Sequence, residues 1–172
     1  MSESYNFSKI LKNLNILYIE DEKNIRLNIK KTLELFCENV LDAENILNAK
    51  EILTTSRIDI IISDINLPDM SGIDFVKEIR ISDKTIPIIL LSAYTDKEFL
   101  LEATKLKLVD YLTKPVDFKS LNNALQNCVN EILDNSRYVI TFKNNIHYNV
   151  LQRKLFNLED STELSLTSKE LD

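Results

Sequence analysis

A doubly wound α/β domain on a five-stranded parallel sheet, followed by a small antiparallel β segment, is the fold class this 172-residue sequence predicts. Three observations carry it. Short apolar runs alternate with helical patterns five times between residues 15 and 133. The links between them are short, which suits parallel strands joined by helices on both faces of the sheet. Past Asn135-Ser136 the pattern changes to short strands separated by polar turns, as in antiparallel β.

The elements follow in order. NILYIE (15–20) reads as a buried strand. Residues 22–36 place Ile25, Ile29, Leu33 and Phe36 at helical spacing. VLDA (40–43) is a shorter strand, and 45–55 is an amphipathic helix with Ile46, Ala49 and Leu53 on one face. Strand IDIIIS (58–63) precedes a helix from Ser71 with Ile73, Val76 and Ile79 inward. IPIILLS (86–92), a helix at 95–106, LVDYLT (108–113) and a helix at 117–133 complete the series. Then come YVITF (138–142), IHYNV (146–150), KLFNL (154–158) and ELSL (163–166) as short strands. His147 falls in one of them and reads as an ordinary cross-strand residue.

Composition narrows the function. The net charge of −6 lies wholly in residues 1–136, because 137–172 hold five basic and five acidic side chains. Such a balance argues against a standing nucleic-acid footprint, which is basic. Cys37 and Cys128 lack metal-ligand spacing and read as small buried residues. The N-terminal MSESYNFSKI is not a signal peptide, and no apolar run approaches a membrane span, so a cytoplasmic, membrane-free protein is expected. Glycine occurs once, at Gly72, so turns must rely on Asn, Asp and Pro.

In such sheets the functional crevice lies outside the carboxyl ends of the strands. Those ends carry Glu20-Asp21, Asp64, Ser92 and Lys114-Pro115. Each has a bland reading alone: an acidic pair caps a helix, a serine turns, a lysine is solvated. Together they set three carboxylates, a hydroxyl and an ammonium around one cleft. Hard oxygen ligands suit Mg²⁺. An aspartate can be a nucleophile toward phosphorus, and a metal and a lysine would neutralise the transferred group. No Gly-rich nucleotide loop is present, so the phosphoryl group should come from a donor.

The blocks ILYIEDE, ISDINLPDMSG, ILLSAY and DYLTKPV resemble, in order, the signature of the response-regulator receiver domain of two-component signalling, over about residues 13–134. The resemblance implies a flavodoxin-like sheet of order 2-1-3-4-5. It implies Asp64 as phosphoacceptor for a sensor histidine kinase, with Mg²⁺ (or Mn²⁺) held by Asp21, Asp64 and the Asn66 carbonyl, and by Glu20 through water. Lys114, Ser92 and the Ala93 backbone would bind the phosphoryl group, with a cis peptide between Lys114 and Pro115. Ser92 and Tyr111 would be the switch residues, and Asn66 and Tyr94 would tune dephosphorylation. The protein would be a phosphoacceptor with self-catalysed chemistry rather than an enzyme. Its output face would be the fourth helix, fifth strand and fifth helix, which is also a possible homodimer surface. The arginines usual on the fifth helix of dimerising relatives are missing from SLNNALQNCVNE (120–131); Asp110, Lys105 and Lys107 could supply charges instead.

The tail resembles the opening sheet of the winged-helix effector domain of the OmpR/PhoB class, and LSLTSKELD resembles the start of its first helix. This divides the chain into an extension (1–13), a receiver (14–134), a linker (135–137) and a truncated DNA-binding domain (138–172). The chain would then be cut short, and only the intact protein would bind DNA. Two other readings stand beside this one. One is a receiver with a non-DNA output, as adaptor or phosphorelay intermediate. The other is an Asp-nucleophile phosphatase of the haloacid-dehalogenase kind, which would need a second acid where Asn66 stands.

Overall fold

The computed structural model describes residues 7–93, 104–135, 139–141, 146–149, 154–157 and 163–164. Two compact units are present, Met1–Glu131 and Ile132–Asp172. The first holds α1 (Phe7–Lys12), β1 (Asn15–Ile19), α2 (Lys23–Leu33), β2 (Asn39–Ala43), α3 (Ile46–Thr55), β3 (Ile60–Asp64), α4 (Gly72–Ser82), β4 (Ile88–Ser92) and β5 (Asp110–Thr113). A last helix, α5 (Phe118–Asp134), runs from it into the second unit. All five strands pair in parallel, in the order β2-β1-β3-β4-β5. The order therefore reverses at β1 and β3, which is where such sheets open a crevice.

Sequence explains why β3 and β4 are central. β3 reads IIISD and β4 IILLS, and every residue of both is buried. Near-continuous apolar runs mark strands covered on both faces. Leu17, Ile19, Ile61 and Leu90 pack with Ile46 and Ala49 of α3 and with Ile73, Phe75 and Val76 of α4. Alternate residues of the same strands, Ile16, Tyr18, Ile60 and Ile62, are equally buried, as are Leu33 of α2 and Leu121, Leu125 and Cys128 of α5. Cys37 is buried too, as its sequence context implied.

Several boundaries differ from those read off the sequence. α2 stops at Leu33 because its end tightens: the amides of Leu35 and Phe36 reach back three residues, to Thr32 and Leu33. β3 extends one residue further and takes in Asp64, which therefore belongs to the strand. β4 starts at Ile88, after a proline that cannot donate to the ladder. The first thirteen residues contain a helix, α1, with Ile10 and Leu11 buried. Of the helix expected at 95–106, residues 95–103 lie outside the described residues. The turn into β5 uses Lys107 at φ 51°, a left-handed position that glycine usually takes. Arg80 braces it, donating to the carbonyls of Leu106 (2.9 Å) and Lys107 (3.1 Å).

The turn after β3 is tied to α3. Asn45 caps that helix through its side chain, which accepts from Asn48 N (2.8 Å). Asp69, from the turn, accepts from the next two amides, Ile46 N (3.1 Å) and Leu47 N (2.9 Å). Burial works to raise the Asp69 pKa, but these amides outweigh it and the net shift is downward. A carboxylate depressed in the folded state stabilises above its unfolded pKa, and the contribution vanishes as pH falls through the folded value. Asp69→Ala is thus expected to lower stability by about 0.5–1 kcal/mol at neutral pH, Asp69 being largely exposed. The gap should close as the pH is lowered below about 4. Urea midpoints of the two proteins at neutral and acidic pH check this.

In the second unit, β6 (Val139–Thr141), β7 (Ile146–Asn149), β8 (Lys154–Asn157) and β9 (Glu163–Leu164) form an antiparallel sheet in that order. His147 sits in β7, paired across strands with Thr141 and Phe156. The helix start expected within LSLTSKELD, residues 165–172, lies outside the described residues.

Candidate functional site: an acidic crevice at the strand ends

Register brings the site together. Ile19 pairs with Ser63, so Glu20 and Asp64 leave neighbouring strands side by side. Asp64 pairs with Leu91, and Ser92 with Thr113, so Ser92 and Lys114 follow on the same edge. The main chain locks these ends: Ile65 N donates to Leu91 O (3.0 Å) and Lys114 N to Ser92 O (2.7 Å). The Lys114–Pro115 peptide is cis.

Three carboxylates result. Those of Glu20, Asp21 and Asp64 each place an oxygen within 4.8 Å of the others. Their surroundings differ. Glu20 is fully buried, Asp64 nearly so, and Asp21 is exposed. Lys114 Nζ bridges the two buried acids, donating to Glu20 Oε2 and to Asp64 Oδ2 at 2.5 Å each. Glu20 also accepts from Tyr18 OH (3.2 Å) and from Glu22 N (3.3 Å). Asp64 Oδ1 accepts from Asn66 N (3.2 Å). The helix-capping reading of the acidic pair fails on geometry: Glu22 holds the N-cap position of α2 and makes no side-chain cap bond.

Proton affinities follow burial and pairing. Burial drives the Glu20 pKa up; Lys114 opposes this, and the Asp64 charge adds to it. For Lys114, burial acts to lower the pKa, but its bonds to Asp64 and Glu20 prevail and raise it. The ammonium is therefore the stable form. Tyr18 is raised by burial and by the adjacent Glu20 charge, so its hydroxyl keeps its proton.

A cavity of about 650 Å³ opens over Asp21, Asp64, Asn66, Ala93 and Lys114, with Ile25 and Ile29 of α2 along one wall. Ser92 is buried at the end of β4, and Tyr111, half-buried on β5, packs against the core. Tyr94 lies outside the described residues. The oxygen donors fit a small, hard divalent cation: carboxylates at the mouth of an open cavity leave room for its waters. Two neighbours were not singled out from sequence: Tyr18 and Arg26. Tyr18 had a signal, since i and i+2 in a strand share a face and so place it beside Glu20. Tyr18→Phe removes one of three donors from a buried carboxylate. It is expected to cost about 1 kcal/mol, read as a lower urea midpoint with unchanged secondary structure.

A sheet of order 2-1-3-4-5 with an acidic crevice at its switch point defines a receiver fold. The chain belongs to the response regulator receiver domain family, whose model matches residues 16–126, and so carries the receiver domain of two-component response regulators. It is 33% identical over 112 residues to the KDP operon transcriptional regulatory protein KdpE of Escherichia coli, covering 65% of this chain and 49% of KdpE. A cyclic di-GMP phosphodiesterase of Thermotoga maritima is 29% identical over 161 residues, 91% of this chain and 40% of that protein. The chain thus spans less than half the length of either relative. Among solved structures, the Thermotoga maritima response regulator TrrA in complex with Mg²⁺-BeF matches with a TM-score of 0.61 and 31% identity, over 67% of this chain and 99% of that one. No helix among the described residues is long and apolar enough to cross a membrane.

Proposed function

We propose that Asp64 accepts a phosphoryl group from a phosphohistidine of a sensor kinase and so switches an output. One observation carries this reading: Lys114 bridges Asp64 and Glu20 inside a cluster of three carboxylates that opens on a cavity. An Asp64 oxygen attacks phosphorus; the Asp64 O–P bond forms, the donor's P–N bond breaks, and the imidazole leaves with the bond's electron pair. A divalent cation held by Asp21, Asp64 and the Asn66 carbonyl would supply positive charge to the transferring oxygens. Lys114, kept charged by its partners, donates to a phosphoryl oxygen. Ser92 then bonds the phosphoryl group and Tyr111 turns inward, repacking the output face to which β5 and α5 belong. The chain acts as a phosphoacceptor rather than a turnover enzyme. The Mg²⁺-BeF bound by TrrA supports the reading, since fluoroberyllate on a carboxylate mimics an acyl phosphate. Acetyl phosphate with Mg²⁺ should add about 80 Da by intact mass, and chelation should abolish the gain. An unlabelled protein overturns the proposal.

For the output we propose transcription control through a winged-helix domain that begins with β6–β9. The four-stranded antiparallel sheet and the likeness to KdpE, a transcriptional regulatory protein by name, support it. A receiver with a non-DNA output is the second reading, because the match to the phosphodiesterase runs through 91% of this chain. Codons after Asp172 that encode a basic recognition helix support the first reading; a stop codon there overturns it.

A further inference from the structure

Asp21 is the exposed acid of the cluster, and among the described residues no side chain donates to its carboxylate. Its direction is therefore set by its own main chain. That main chain has left the sheet: the last ladder contact is Glu20 N to Ala43 O, 3.0 Å. One side chain then takes over. Arg26 Nη1 donates to the carbonyls of both Glu20 (2.6 Å) and Asp21 (3.1 Å). Its Nε donates to Asp42 Oδ2 (3.2 Å), and Nη2 lies 3.8 Å from Glu44. Asp42 is fixed in turn by Lys30, whose Nζ donates to Oδ1 at 2.6 Å. The side chain of Arg26 is 11% exposed, so the guanidinium is largely shielded from water, while its bond to the Asp21 carbonyl lies at the exposed edge.

We infer that Arg26, anchored by Asp42 on β2, is a positioning residue that, by holding the Glu20–Asp21 main chain, aims the Asp21 carboxylate at the divalent cation. The inference rests on the metal and phosphoacceptor reading above. Its physical basis is the planar guanidinium, which serves two carbonyls and a carboxylate at once; an ammonium is a point charge and cannot. Partners that orient metal ligands are commonly worth about 10–100-fold in metal affinity. A purely structural ion pair would instead show in stability and leave affinity unchanged.

The test compares wild type with Arg26→Lys, which keeps a cation beside Asp42. Mn²⁺ is titrated with the free ion followed by electron paramagnetic resonance. Thermal unfolding without cation is measured alongside, and acetyl phosphate labelling is followed as a function of Mg²⁺. Mn²⁺ binding should weaken about 10-fold while the cation-free unfolding midpoint stays close to wild type. Labelling at saturating Mg²⁺ should recover fully. An unchanged dissociation constant, or a labelling defect that persists at saturation, overturns the inference. If Arg26→Lys fails to fold, Asp42→Ala serves: it leaves the two carbonyl bonds and removes their anchor. It should weaken binding about 3-fold, and unchanged binding overturns the inference equally. A wild-type protein that binds no Mn²⁺ refutes the metal reading itself. Tight binding by both wild type and Arg26→Lys refutes the clamp alone.

Discussion

Asp64→Asn is expected to abolish phosphoryl uptake from acetyl phosphate, with the gain of about 80 Da absent under conditions that label wild type fully. An amide in this place is not a competent nucleophile, and no neighbour can replace it. Glu20 is fully buried beneath Lys114 and Tyr18. Asp21 is open to solvent, but it lies beyond the strand end and its carboxylate has no donor among the described side chains. The variant should still fold. Lys114 loses one acceptor and keeps Glu20, while Glu20 is relieved of the Asp64 charge that raises its pKa. These effects oppose each other, so stability should change by no more than about 1 kcal/mol. A chemical defect is thereby separated from a folding defect. Residual full labelling of Asp64→Asn would sink the assignment.

The second large effect is expected at Gly72. A Cβ there would lie 2.2 Å from the backbone carbonyl oxygen of Asp64 and 3.0 Å from the Cα of Ile65. Neither neighbour is the tip of a flexible side chain, so the clash has to be relieved by moving α4 or the end of β3. Gly72 N also donates to Ile65 O at 2.8 Å, which fastens the two segments together. Gly72→Ala is expected to cost about 3 kcal/mol. That corresponds to a fall of roughly 6–12 °C in Tm for a protein of this size. Labelling of Asp64 should slow as well, because the strain falls on that residue's own peptide. A Tm unchanged within about 2 °C would show that the close approach is not maintained in solution.

Much of the site was legible because strand ends are legible. Runs such as IIIS and IILL announce central strands, and a charged residue at the end of one must lie on the carboxyl edge. Glu20, Asp21, Asp64 and Lys114 followed from that, and the structure sets them around one crevice. What sequence hid were the partners. Tyr18 sits inside an apolar run and looks like one more core residue, yet its hydroxyl reaches Glu20. Arg26 falls on a helix where a solvated cation is ordinary, yet it points back at the preceding loop. The single glycine, Gly72, carries no such sign in its sequence context; its φ is not positive, and the reason for glycine is proximity to Asp64. Such reasons depend on where single atoms come to rest within a few residues of the strand ends, which the pattern of apolar residues does not encode.

The short helix α1 has a practical consequence for dissecting the chain. Ile10, Leu11 and Leu14 are buried, Lys12 O accepts from Glu38 N at 3.2 Å, and the Cys37 thiol lies against Leu14 O at 2.6 Å. Burial pushes the Cys37 pKa up, which keeps the thiol unreactive. A fragment trimmed to the family match at residue 16 would strip this cover away. It would present fresh apolar surface and a thiol open to air oxidation and cross-linking. An expression fragment that begins at or before Phe7 avoids both.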